Sequence, residues 1–175
     1  MQIKSYIRTV PHYPKKGVMF RDITTLLKDP VGLRVAVESL ANHYKNIKID
    51  KVAGIEARGF ILGAAVAYEL GLGFVPIRKK NKLPAPTIGQ DYALEYGVDR
   101  IEIHTDAILA GESILLIDDL IATGGTAAAA CSLITTVGAT IVGCGVVIDL
   151  PDLGGAQLLR AQGYQVFSLC EFEGD

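Results

Sequence analysis

The feature that most constrains this chain is the stretch Ser113-Ile114-Leu115-Leu116-Ile117-Asp118-Asp119-Leu120-Ile121-Ala122-Thr123-Gly124-Gly125-Thr126-Ala127. Its unbroken apolar start reads as a strand buried on both faces of a parallel sheet. Asp118 and Asp119 stand where that strand should end. A short glycine-bearing turn follows, and the alanines from Ala127 to Ala130 open a helix. Strand, acid pair, turn and helix start together describe the carboxyl edge of an open α/β sheet, where such folds bind ligands.

The turn has a definite chemistry. Backbone N–H groups at a helix start are unpaired, and the helix dipole adds partial positive charge there. Gly124 and Gly125 let the backbone curl around an anion, while Thr123 and Thr126 offer hydroxyl donors. The two aspartates repel an anion, but they can accept hydrogen bonds from a neighbouring diol or sit near a hydrated cation. A ligand carrying a phosphate and vicinal hydroxyls, a ribose 5-phosphate, satisfies every group.

Composition bounds the rest. A chain of 175 residues, 50% hydrophobic and 21% charged, is one globular domain rather than a disordered segment. A net charge of −2 gives no global field for nucleic acid or membrane, so a polyanion must be held by a local site. Cys131, Cys144 and Cys170 lack paired spacing, which argues against a disulfide framework or a zinc site and fits a reducing, cytoplasmic setting. Residues 1 to 10 lack the apolar core of a signal peptide, and no apolar run reaches the length of a membrane span.

Pro11, Pro14 and Gly17 make the first residues read as an irregular lead-in. Asp29 and Pro30 open a helix as N-cap and first helical residue, with Leu33, Val37, Leu40, Ala41 and Tyr44 on one face. Val52 to Glu56 reads as a strand and Phe60 to Leu70 as a helix stopped by Gly71. Between them, Glu56-Ala57-Arg58-Gly59 forms a second strand-to-helix junction. There Arg58 either meets a ligand anion or pairs with Glu56. Gly73 to Ile77 is a short strand that Pro76 confines to an edge or an end. The cations Arg78, Lys79, Lys80 and Lys82 are either a solvated face or a cluster reaching the same sheet edge as Arg58.

From Ala85 to Arg100 the apolar period breaks down, as expected of a functional lid, and Glu95 by itself reads as an exposed acid on a hairpin. Ile101 to His104 alternates like a half-exposed strand, which turns His104 to solvent, and His12 and His43 lack metal-ligand spacing. The alanine-rich helix should stop at Gly138. Thr140 to Ile148 reads as another buried parallel strand, whose glycines allow close packing or ligand approach. Asp149 at its end is read as a helix cap rather than a ligand contact. A short helix over Leu153 to Ala161 and a strand over Tyr164 to Leu169 complete an α/β fold. It is an open, mostly parallel twisted sheet with helices on both faces.

Ile117 to Thr126 resembles the phosphoribosyl-pyrophosphate (PRPP) motif of the type I phosphoribosyltransferases. Three further segments resemble the adenine phosphoribosyltransferases in particular: Gly17-Val18-Met19-Phe20-Arg21-Asp22-Ile23, Gly54-Ile55-Glu56-Ala57-Arg58-Gly59-Phe60 and Ala93-Leu94-Glu95-Tyr96-Gly97. Arg78-Lys79-Lys80-Asn81-Lys82-Leu83-Pro84 matches a fourth. The likeness spans nearly the whole chain, with the motifs in the family's order.

The resemblance implies one domain over 1–175, with an N-terminal hood over 1–28 and a flexible catalytic flap over about 79–104. It implies purine salvage, in which adenine and PRPP give AMP and pyrophosphate with Mg²⁺ held mainly by PRPP and water. Glu95, Tyr96 and Arg58 would be catalytic. Asp118, Asp119, Ala122, Thr123, Gly124, Gly125, Thr126 and Ala127 would bind ribose and 5-phosphate. Glu56, Ala57, Arg58, Arg78, Lys79 and Lys82 would bind pyrophosphate, in a loop that often holds a strained peptide bond. Phe20 would stack on adenine, flanked by Met19 and Arg21. A homodimer is implied, some basic residues serving the neighbouring subunit, with neither nucleic acid nor membrane as partner. A phosphoribosyltransferase for another base and a PRPP-sensing regulator are the rival readings. The Phe20 and Glu95 segments oppose the first, and the lack of an added nucleic-acid-binding domain opposes the second.

Overall fold

A computed structural model of the chain describes residues 2–174. The lead-in is not irregular: it forms an antiparallel hairpin of β1 (Arg8–Pro11) and β2 (Met19–Asp22), followed by a short helix α1 (Thr24–Lys28). Pro11 ends β1 and Pro14 lies in the connecting loop, positions where a missing N–H costs no interior ladder bond. The next helix, α2 (Pro30–Tyr44), starts as its sequence requires. Asp29 accepts from the amides of Val31 (2.9 Å) and Gly32 (2.8 Å). Gly32, Ala36, Leu40, Ala41 and Tyr44 form its buried stripe, with Leu33 and Val37 half-buried beside it.

The main sheet is assembled from β3 (Lys51–Ile55), β4 (Gly73–Lys79), β5 (Thr87–Ala93), β6 (Val98–His104), β7 (Ser113–Ile121), β8 (Thr140–Asp149) and β9 (Val166–Glu171). Helix α3 (Arg58–Leu70) joins β3 to β4, α4 (Gly125–Thr136) joins β7 to β8, and α5 (Gly155–Ala161) precedes β9. In space the strands run β5-β6-β4-β3-β7-β8-β9. From β4 to β9 all neighbours are parallel, and the β5–β6 hairpin is added antiparallel at the β4 edge. The chain winds outward from β3 in one direction and from β7 in the other. Their shared border is therefore the switch point at which a ligand crevice opens.

Two cores result. One packs α4 and Leu159 of α5 on one face of the sheet, with Ile114, Leu116 and Ile103. The other packs α2 and α3 on the opposite face, with Leu115, Ile117 and Val147. Helices therefore cover both faces, as β7's apolar sequence demands. Gly143 and Gly145 serve packing: a Cβ at Gly143 would stand 2.9 Å from the Tyr44 ring.

Several local expectations need correcting. The segment over 85–100 is an ordered hairpin. It is held by backbone pairing from Thr87↔His104 to Ala93↔Val98, so its polar composition reflects exposure and not irregularity. Ile101 to His104 is not half-exposed. Glu102 is buried, accepting from the Asn81 amide (2.8 Å) and from Arg100 (3.2 Å). Strand β7 does not end at the aspartates, because the long β8 keeps pairing as far as Ile121↔Asp149. Asp149 caps neither helical turn that follows. It is 2% exposed, and burial first, then the Glu171 carboxylate, push its carboxyl up. Cys131 and Cys144, distant in sequence, meet in the core at 3.7 Å as free thiols. Pro76 fits as expected, since β6 pairs with β4 only at Arg78 and Lys79 and leaves Pro76 facing no partner on that side.

Candidate active site

The strand ends converge. A cleft of about 270 Å³ at the β3/β7 border is lined by Glu56, Ala57, Arg58, Lys79, Asp118, Asp119 and every residue from Leu120 to Ala127. The anion turn is preorganised. Gly124 has φ +86° and no side chain caps the start of α4, so the first amides of that helix are left without a side-chain partner. Two chain segments nearly touch here, because a Cβ on Gly124 would lie 2.9 Å from Gly155. Gly155 in turn donates its amide to the Ala122 carbonyl at 3.0 Å. The loop is thus braced from behind by the start of α5.

The acid pair is asymmetric. Asp119 is buried and takes the Arg58 guanidinium at 2.5 Å. Burial works to lower the Arg58 cation, but the Asp119 hydrogen bond and nearby carboxylates outweigh it and hold it more firmly charged. Asp118 sits against the first turn of α3, where a Cβ on Gly59 would come within 2.7 Å of its Oδ1. Burial first and the Asp119 charge second push the Asp118 carboxyl well above the usual carboxylate range. This resolves the open question at Arg58. Its partner is Asp119, while Glu56 accepts from the Lys79 amide (2.6 Å) and pairs with Arg78 (3.3 Å). The peptide between Glu56 and Ala57 is cis.

A second hollow, of about 310 Å³, adjoins the first through Arg58 and is lined by Val10, Tyr13, Phe20, Asp22 and Thr24. Alternation along β2 puts Phe20 and Asp22 on this side. Met19 and Arg21 fall on the other face, Arg21 lying over the Phe172 ring at 4.5 Å. Tyr13 meets Phe20 edge to face at 5.2 Å. Asp22 anchors the hollow's floor through Arg8 and through the Thr24 amide (2.9 Å) and hydroxyl (2.8 Å). Burial works against its charge, yet the Arg8 and Thr24 hydrogen bonds prevail and lower its carboxyl from 3.8 to about 2.

The fold brings together the acid pair, the 122–127 turn, Glu56, Ala57, Arg58 and Lys79, with Phe20 next door. Arg78 lies just behind them on Glu56. Lys82 is exposed beyond β4, its carbonyl meeting Arg78 at 3.4 Å, and it lines neither hollow. Glu95 and Tyr96 stand exposed at the β5–β6 tip, with Tyr96 86% exposed and Glu95 3.9 Å from Lys15 of the β1–β2 loop. Sequence reasoning missed Tyr13 and Asp22 as lining residues. The period-two alternation that places Asp22 beside Phe20 was the available signal. Among the described residues, no three or more His, Cys, Asp or Glu are grouped to hold a metal ion, and no helix is long and apolar enough to cross a membrane.

A parallel sheet whose switch point carries an acid pair, an uncapped glycine turn and an arginine-bearing loop is the α/β arrangement that offers a ligand crevice at its strand ends. The phosphoribosyl transferase domain model matches residues 22–169, and the chain belongs to that family. Within it, the similarity runs to adenine phosphoribosyltransferases. That of Nitrosospira multiformis is 68% identical over 175 residues, covering 100% of both chains. The crystal structure of the Thermoanaerobacter pseudethanolicus adenine phosphoribosyltransferase superposes with a TM-score of 0.92 at 45% identity, covering 97% of this chain and 98% of that one. The Giardia lamblia enzyme, complexed with 9-deazaadenine, gives a TM-score of 0.93 at 35% identity over 99% of each chain.

Proposed function

We propose that the chain, acting in purine salvage, transfers the 5-phosphoribosyl group of PRPP to adenine, giving AMP and pyrophosphate, with its own residues dividing the labour as follows. The observation that carries this reading is the single cleft shared by the acid pair, the 122–127 turn and the Glu56–Arg58 loop, with Phe20 beside it. The turn's amides and the Thr123 and Thr126 hydroxyls take the 5-phosphate, and Asp118 and Asp119 accept from the ribose diol. Arg58, Lys79 and Arg78 meet the pyrophosphate, so charge leaving the anomeric carbon is stabilised on that side. The base enters from the other side. Phe20 stacks on it, and the backbone at Met19 and Arg21 reads its edge.

Glu95 exchanges a proton with the purine once the flap over about 79–104 closes on the hood over 1–28, and Tyr96 seals the site against water. Glu95's approach to Lys15 supports that direction of closure. Mg²⁺ brought in with PRPP would supply positive charge beside the leaving pyrophosphate, and Asp118 and Asp119 are the carboxylates of this chain that would face it, Asp119 while holding Arg58. The chain works in the cytoplasm as a homodimer, in which exposed Lys82 can serve the neighbouring site.

The test mixes protein, Mg²⁺ and PRPP with single bases and follows nucleotide formation. AMP from adenine, with little product from hypoxanthine, guanine or orotate, is the expected result. Product from another base would overturn the adenine assignment and leave the PRPP seat standing. Glu95→Gln should lower turnover about 100-fold with the PRPP KM little changed, if that side chain moves the proton.

A further inference from the structure

Lys79 is the one residue of the cleft whose charged end is held by the flap hairpin. It lines the cleft from the end of β4, yet its ammonium donates to Asp99 Oδ2 on β6 and to the Tyr92 hydroxyl on β5 (2.8 Å). Tyr92 and Asp99 are cross-strand partners in the hairpin register. The Tyr92 hydroxyl also donates to Asp99 Oδ2 at 3.1 Å, which closes a triangle around the ammonium. The carboxylate is itself aimed, because its other oxygen accepts the Arg100 amide at 2.8 Å. An ammonium has three donors, and these two partners occupy two of them. Among the described residues no third partner holds the Lys79 ammonium, so one of its donors is unpartnered.

We propose that Tyr92 and Asp99 are positioning residues of the pyrophosphate subsite, fixing the Lys79 ammonium so that its third donor meets the leaving pyrophosphate. The inference rests on the reading of that cleft as a PRPP site. A free lysine must give up the rotamer freedom of a four-carbon stem to bind one anion, and the triangle removes that cost beforehand. It also ties the pyrophosphate subsite to the hairpin that carries Glu95 and Tyr96, so the leaving group and the flap share one joint. Charge balance agrees. Burial works to lower the Lys79 cation, but the Asp99 and Tyr92 hydrogen bonds outweigh it and keep it charged. Asp99 is in turn lowered by Lys79 first and by the Arg100 amide second.

The experiment runs the reaction in reverse, from AMP and inorganic pyrophosphate with Mg²⁺, and measures each KM separately. Asp99→Asn should raise the pyrophosphate KM about fivefold while leaving the AMP KM unchanged. Tyr92→Phe should give a smaller rise of the same kind, and it tests the idea independently should Asp99→Asn unfold. In a Lys79→Gln background, Asp99→Asn should add nothing further. Equal rises in both KM values, an unchanged or lowered pyrophosphate KM, or full additivity with Lys79→Gln would each overturn the proposal. A parent chain that makes no PRPP from AMP and pyrophosphate would instead sink the site reading, and the inference with it.

Discussion

The two halves of the cleft are built on opposite plans. The proposed phosphate half rests on the ends of parallel strands β3, β4 and β7 and on the first turn of α4, and short side chains from Leu120 to Ala127 make up much of its lining. The proposed base half hangs on the β1–β2 hairpin at the rim, where Phe20 is half-buried and Tyr13 is 54% exposed, while Tyr96 at the β5–β6 tip stands 86% exposed. The contrast follows from what each half receives in the proposed reaction. Fixed dipoles are worth most where they are rigid and dry, so the anion seat belongs in the sheet. A planar base must enter and a nucleotide must leave, so the groups that grip them belong on elements of low local stability.

If the phosphate half is rigid by construction, breaking its backbone should do the most harm. Gly124→Ala forces a side chain into left-handed backbone and against Gly155. The two penalties together amount to about 2–4 kcal/mol, so kcat/KM for PRPP should fall about 100-fold or more in steady-state assays with adenine held saturating. On the base side, Phe20→Ala should raise the adenine KM about tenfold and leave the PRPP KM alone, since base stacking is worth about 1–3 kcal/mol. A matching rise in the PRPP KM would mean that the halves are not separable.

Asp22 sharpens the comparison further. Its carboxyl titrates at about 2 when folded against an ordinary 3.8, so its stabilising bonds are complete above 3.8 and vanish as pH falls through 2. Acid unfolding followed by circular dichroism should therefore show Asp22→Asn losing less stability than the parent across that window, since Asp99, Glu102 and Glu112 act alike in both. The smallest effect belongs to Tyr13→Leu. It removes one edge-to-face contact and should raise the adenine KM about threefold, as a ring pair worth about 0.5–1.5 kcal/mol allows.

The same division explains what could be read from the amino-acid sequence. The junction that carries the acid pair was legible because it is local. Strand, acid pair, glycine turn and helix lie in consecutive residues from Ser113 to Ala127, and the Asp29 cap, the Gly71 stop and the Gly138 stop are likewise short-range signals. The long-range contacts of both halves were not legible, because they join residues that sequence spacing does not connect. Asp22 meets Arg8, Lys79 meets Asp99, and Arg58 chooses Asp119 over the nearer Glu56. Polar hairpins also look like loops when read for apolar period, which is why residues 85–100 appeared irregular. Glu102 misled for a related reason: alternation assigns a face, but it cannot foresee that Asn81 and Arg100 will satisfy a buried carboxylate.

The border between β3 and β7 has a consequence for how the molecule comes into being. These strands pair directly, from Lys51↔Ile114 to Gly54↔Ile117, although α3, β4 and the whole β5–β6 hairpin lie between them in the chain. Closing so long a loop delays that pairing relative to local helices and hairpins. Each half of the chain supplies its own side of the crevice, Glu56 to Arg58 from one and Asp118 to Ala127 from the other, and the crevice is complete only when β3 and β7 pair. On the proposed reading a nascent or truncated chain that lacks β7 has no seat for a ribose phosphate, and saturating PRPP should protect the central strands from hydrogen exchange together, as one unit.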